Sequence, residues 1–129
     1  LLLDRLRMAE SEQPQGASAL ASLPDGPLRK ALKAMETTLE NPQSTAQIAQ
    51  SINLSTRQLE RLFARHLGKS PQAYYRDLRL HRARTLIEGS PLSMTEIALS
   101  CGFEGSAHFS RVFKQRYGMT PHTLRSSGL

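Results

Sequence analysis

The chain has 129 residues, 39% of them hydrophobic, with seventeen Lys or Arg against eleven Asp or Glu, a formal net charge of +6. That length suits one domain or two very small ones, and no run of about 18 apolar residues offers a membrane span. A single cysteine excludes an internal disulfide, and four histidines separated by 15, 27 and 14 residues lack metal-ligand spacing.

The charge is unevenly placed. Residues 1–26 hold two basic and four acidic side chains, a net of −2, leaving fifteen basic against seven acidic residues, +8, in the rest. The opening "LLLDRLRM" is too short and too charged for a secretory signal. Its "LLL" reads as the end of a helix from a preceding domain. Residues 9–27, "AESEQPQGASALASLPDGP", show no sustained period and are rich in Ala, Ser, Gly, Pro and acids, the composition of a linker.

From Pro27 the pattern becomes helical. Leu28, Leu32, Met35 and Leu39 fall at steps of four, three and four, and Pro27 suits the first helical position, where its missing N–H costs nothing. Asn41–Pro42 is expected to stop this helix. Ser44 with Gln47 forms a capping box ahead of a short helix bearing Ile48–Ala49. A tight turn follows at Asn53, a residue that tolerates positive φ, and a second box, Ser55 with Gln58, opens the next helix. Gly68 suits a left-handed C-cap. Ser70–Pro71 then opens "PQAYYRDLRLHRARTLIEG", a helix of about 18 residues and roughly 27 Å. In it Tyr74, Leu78, Leu80, Arg82 and Leu86 fall near one stripe, with one of Tyr74 and Tyr75 in the core and the other partly exposed. Ser93 with Glu96 forms a third box, followed by Ile97–Ala98, a turn at Gly102, a helix starting near Gly105–Ser106, a stop at Gly118 and a new start at Thr120–Pro121. No strand signal occurs, so the fold class is all-α.

The order of these signals repeats. Ile48–Ala49 overlays Ile97–Ala98, Ser51 overlays Ser100 and Leu54 overlays Phe103. After one extra residue in the second copy, Leu59 meets Phe109, Arg61 meets Arg111, Phe63 meets Phe113, Gly68 meets Gly118 and Pro71 meets Pro121. A short helix, a tight turn and a second helix make a helix-turn-helix. Here it occurs twice, over about 45–66 and 94–116, joined by the linker helix at about 71–88, within a domain of residues 27–129.

In the second helix of copy one, Leu59, Leu62, Phe63 and either His66 or Leu67 share a face that must be core, with Arg57, Arg61 and Ala64 opposite, flanked by Glu60 and Arg65. In copy two Phe109, Val112, Phe113 and Tyr117 point inward, while Ala107, Arg111 and Lys114 point out with Ser106 and His108 nearby. One exposed Arg is an ordinary solvated charge. Registered Arg residues on the same outer face of two copies, beside small residues that permit close approach, match what reading a DNA major groove demands. Between Arg57 and Arg84 eight basic residues face only Glu60 and Asp77, a balance that favours an anionic partner. Successive major-groove segments on one side of DNA lie about 34 Å apart. A linker of roughly 27 Å therefore predicts that one chain binds a bipartite site as a monomer.

These residues resemble the AraC/XylS-type transcriptional regulators. The similarity is strongest in "SMTEIALSCGFEGSAHFSRVFKQRYGMTPHTLR", with its Ile-Ala helix, Gly-Phe turn, Phe-Ser-Arg-x-Phe-Lys run, Gly-x-Thr-Pro and closing Arg. "LSTRQLERLF" and "GKSPQAYYRDLRLHRARTLI" look like the family's first motif and linker helix, and the match covers about residues 27–126. The resemblance implies a homeodomain-like, seven-helix domain that binds a double-stranded DNA operator and serves as a transcriptional activator in the cytoplasm, at the nucleoid. Carried onto matching positions, it implies base contacts from Arg57, Glu60 and Arg61 in the first motif and from Ser106, Ala107, His108 and Arg111 in the second. Phosphate contacts are expected at Ser44, Arg65, Ser93 and Lys114. It further implies RNA polymerase as a partner, no cofactor or metal, and an effector sensed only through a separate N-terminal domain. "YYRDLRLHRAR" is similar to members whose other half is a class I glutamine amidotransferase-like module.

Two rival classes are weaker. No P-loop, G-x-S-x-G or G-x-G-x-x-G is present, so an enzyme is not expected. An RNA-binding module needs exposed aromatics for stacking, whereas these Phe and Tyr residues fall on core positions. A protein-interaction role has a candidate in the helix face bearing Arg29, Lys30, Lys33 and Glu36, which reads more simply as solvated. Cys101 overlays Ile52, an apolar position, so a buried structural thiol is expected rather than a redox sensor.

Overall fold

Pro27 opens helix α1 (Pro27–Glu36) after Gly26, whose φ of 152° suits glycine. The computed structural model describes residues 26–127, so the expected preceding-domain tail and linker lie outside the described residues except for Gly26. Helix α1 stops before the Asn41–Pro42 signal. Thr37 forms its C-cap, and the Thr37 hydroxyl donates to the carbonyl oxygens of Lys33 and Ala34, drawing the last turn closed. Leu39, the last periodic residue, thus lies in the following loop.

The other six helices start where local chemistry directs. They are α2 (Thr45–Ser51), α3 (Thr56–Leu67), α4 (Pro71–Gly89), α5 (Met94–Ser100), α6 (Ser106–Tyr117) and α7 (Pro121–Ser127), and no strand occurs among the described residues. Ser44, Ser55 and Ser93 each accept the N3 amide at 3.1 Å, and the N3 side chains of Gln47, Gln58 and Glu96 accept the capping residue's N–H at 2.8–2.9 Å. Ser70 and Thr120 accept amides of the first turns of α4 and α7 at 3.1 Å. Gly68 and Gly118 end α3 and α6 in the left-handed conformation.

The described chain divides into two units. The first runs to Thr37 and resumes over Gln43–Leu78; the second comprises Thr38–Pro42 and the residues from Arg79 onward. In the first, α1 contributes Leu28, Leu32 and Met35 to a core with Ile48, Leu59 and Phe63, and the Phe63 and Tyr74 rings meet edge-on at 5.8 Å. Each such side chain is worth about 1.5–3 kcal/mol on burial. In the second, Leu80, Ala83 and Ile87 pack with Ile97, Cys101, Phe103, Phe109 and Phe113.

The linker helix does not carry the single stripe expected of it. Tyr74, Tyr75 and Leu78 are buried in the first unit, Leu80, Ala83 and Ile87 in the second, and Arg82 is exposed. A helix that serves two cores in succession changes its buried face on the way. Tyr75 is also fully core rather than partly exposed, because its hydroxyl accepts the Gln43 N–H at 3.0 Å and so can be buried without an orphaned polar atom.

Candidate nucleic-acid interface

The two second helices are held from one side only. Leu59 and Phe63 of α3 and Phe109 and Phe113 of α6 are fully buried, fixing which face of each helix remains in water. Arg57, Glu60, Arg61, Ala64 and Arg65 are all exposed on α3, as are Ser106, Ala107, His108, Arg111 and Lys114 on α6. His66 is exposed too, and the buried face passes through half-buried Leu62 and Leu67 instead. The leucine alternative prevails because an imidazole in that core would need a polar partner.

Arg57, Arg61 and Arg65 follow one another at four-residue steps, so they form one row along α3, with Glu60 the acid among them. An Arg fork can meet guanine O6 and N7 together, and a carboxylate can accept from cytosine N4 while repelling phosphate. On α6 the row is sparser: Arg111 and Lys114 supply the charge, and the His108 ring lies 6.1 Å from Phe103, anchored beside the core.

The motif starts differ in charge. Ser44 and Ser93 are exposed N-caps whose hydroxyls already accept an N3 amide. Gln47 completes the first box as a neutral group. In the second, the backbone N–H and hydroxyl of Ser93 hold the Glu96 carboxyl below the usual carboxylate range, so a negative charge stands beside Ser93.

Several residues that position this surface escape a reading by periodicity. Asp77, buried on α4, takes an ion pair from Lys69 at 2.7 Å and so pins the α3–α4 turn. The Arg79 guanidinium sits 4.6 Å above the Phe103 ring and donates to the Gly102 carbonyl at 3.1 Å, bracing the turn ahead of α6. Arg125 on α7 donates to the carbonyls of Ile87, Ser90 and Leu92 at 3.2, 3.0 and 2.6 Å, closing the end of α4. Arg84 lies over Tyr117 at 4.9 Å. Part of the basic excess between Arg57 and Arg84 therefore serves the scaffold. The closing Arg of the resemblance signalled Arg125; nothing in the sequence signalled Arg79.

Among the described residues no three His, Cys, Asp or Glu groups gather to hold a metal ion, and no helix is long and apolar enough to cross a membrane. Cys101 is fully buried, and burial pushes its thiol pKa up, away from the reactive thiolate. Burial, then Arg84 and Arg116, hold the His81 imidazole below its ordinary pKa. Six of the seven Phe and Tyr residues are buried and Tyr117 is half-buried, so there is no aromatic platform for unpaired bases.

Comparison with known proteins agrees with this geometry. The family described as helix-turn-helix domain matches residues 48–127. The chain is 36% identical over 126 residues to the HTH-type transcriptional regulator ArgR of Pseudomonas aeruginosa, covering 98% of this chain and 38% of that protein. A crystal structure of a transcriptional regulator from Chromobacterium violaceum, one of the AraC-type DNA-binding domain-containing proteins, superposes with a TM-score of 0.74 at 42% identity, over 78% of this chain and 89% of that one. The DNA-binding domain of AdpA, solved in complex with a target DNA, superposes with a TM-score of 0.75 at 26% identity, over 80% and 93% of the two chains. The chain spans little more than a third of the curated relatives it matches over nearly its whole length. With two helix-turn-helix motifs, exposed Arg-bearing second helices and these relatives, the chain belongs to the AraC/XylS-type family of helix-turn-helix DNA-binding transcriptional regulators.

Proposed function

We propose that the domain reads duplex DNA with α3 and α6 as recognition helices in successive major-groove segments, one chain binding a bipartite operator. Arg57, Glu60 and Arg61 contact bases in one segment and Ser106, Ala107, His108 and Arg111 in the other. Arg65 and Lys114, with the helix starts at Ser44 and Ser93, meet phosphates. The observation that carries this reading is the matched exposure of Arg61 and Arg111, on faces opposite buried Phe63 and Phe113. The nineteen-residue α4, roughly 28 Å long, is in keeping with half-sites one DNA turn apart. Within a longer protein we place the domain behind an amidotransferase-like sensing module that receives a small effector. We assign it to transcription activation through RNA polymerase, in the cytoplasm at the nucleoid.

The test is selection of bound sites from a random duplex library by the full chain, with stoichiometry measured on the winners. Two short preferred blocks about 10 base pairs apart, held by one chain, are expected. A single preferred block would overturn reading by both helices.

A further inference from the structure

A cleft of about 620 Å³ opens on the flank of α3, lined by Pro27, Leu54, Gln58, Arg61, Leu62 and Arg65. Half-buried Leu54 and Leu62 give it an apolar floor, two exposed guanidinium groups form its rim, and no acid lines it. Lys69, Arg79 and Arg84, further along the chain, are committed to Asp77, Phe103 and Tyr117. Arg61 and Arg65, by contrast, have no ion pair or hydrogen bond among the described residues. Gln58 accepts the Ser55 N–H at 2.8 Å through its carbonyl oxygen, which leaves its NH₂ end as a third donor at the cleft.

Donors above an apolar floor define the occupant. An Arg fork matches a carboxylate with two parallel hydrogen bonds. The cleft volume falls within the range of small-molecule sites, about 300–1,000 Å³. Three apolar side chains are too few for the core of a stable protein–protein interface, which buries about 1,200–2,000 Å². We propose that the cleft binds a small amphipathic carboxylate, its head between Arg61 and Arg65 and its apolar body on Pro27, Leu54 and Leu62. Resting on the assignment of α3 to DNA, such a molecule takes the same two guanidinium groups as the operator. It therefore acts on the DNA-binding domain itself, without a sensing module. Operator affinity falls by the factor 1 + [L]/Kd, about 11-fold when the carboxylate stands at ten times its Kd.

The full chain with octanoate as probe tests this by NMR of amide and guanidinium signals at constant ionic strength. Saturable shifts confined to Leu54, Gln58, Arg61, Leu62 and Arg65 are expected, reversed by the selected duplex, with the reciprocal loss of duplex affinity. Acetate lacks the body and octanol the charge, so shifts of equal size with either overturn recognition of both parts. No shifts, or shifts spread equally over α6, overturn the site. Arg65→Ala, at an exposed position, should weaken octanoate about 2–5-fold, and an unchanged octanoate affinity also overturns the proposal. Localised binding with undiminished duplex affinity overturns the competition. Arg57 lies outside the cleft lining, so the loss of base preference in Arg57→Ala tests α3 as a reader independently of octanoate.

Discussion

The two helix-turn-helix motifs reach the same left-handed turn by different side chains. At the turn, the first uses Asn53 at φ 61° and the second Gly102 at φ 84°. Asn53 is exposed, and a short polar side chain tolerates the left-handed conformation there. Gly102 has no such room: an added Cβ would stand 2.5 Å from the Leu39 carbonyl oxygen and 2.6 Å from the Pro42 ring. At the helix start, α3 has a complete capping box, whereas α6 begins at Gly105 with no side-chain cap. The first motif is therefore secured by local hydrogen bonds. The second relies more on its aromatic run, with Phe103–Phe109, Phe109–Phe113 and Phe113–Tyr117 centroids 5.2, 5.6 and 4.7 Å apart. Equivalent motifs within one chain need share only their φ/ψ requirements and their buried face.

The contrast breaks most sharply at its aromatic end. Phe109→Ala should cost about 3–5 kcal/mol and unfold the second unit, read as loss of helical circular dichroism and a lower melting temperature. A normal melt would show that the ring is dispensable. Gly102→Ala comes next, at about 2–4 kcal/mol from strained φ plus crowding. Asn53→Gly, at the matching turn, should stay within about 0.5 kcal/mol, and denaturant melts giving equal losses would erase the distinction between the turns. Arg61→Ala and Arg111→Ala should each cost about 1–3 kcal/mol of binding and relax preference at one position, in opposite halves of the operator. Equal loss on selected and random duplex would reassign them to phosphate.

The caps give smaller effects. Ser55→Ala should cost about 1 kcal/mol, and Gly105→Ser should gain at most a few tenths, in the same melts. The smallest is a pH effect. Because the folded state holds the Glu96 pKa below its ordinary 4.5, its contribution is fully present above that value and is lost as pH falls through the folded pKa. The neutral Gln47 box has no such dependence. Melting temperatures between pH 6 and 3 should fall less steeply for Glu96→Gln than for the parent chain.

Much of this surface is legible in the sequence. The capping boxes, Gly68, Gly118, Asn53 and Gly102 act within a few residues of themselves, so helix starts and stops follow from adjacent chemistry. The exposure of Arg57, Arg61 and Arg111 follows from 100° per residue once Phe63 and Phe109 are assigned inward. What escaped was set at longer range. The Tyr75 hydroxyl meets an amide 32 residues earlier, Arg79 braces a turn 23 residues later, and Arg125 reaches back 38 residues to Ile87. Lys69 and Arg79 look like two more surface cations to any count of charge, and only their partners distinguish them. Leu39 counted as one more helical turn, yet Thr38–Pro42 groups with the second unit and closes over Gly102.

Two motifs, the seven helices of the described residues and the outward rows on α3 and α6 are written in periodicity and capping, because those signals are local and every one of these helices obeys them. Whether α4 carries one stripe or two, which basic side chains are scaffold, and why the second turn tolerates glycine alone depend on which distant atoms meet. Packing decides them, since burial makes an unpaired polar group or an extra carbon costly only where another segment actually arrives.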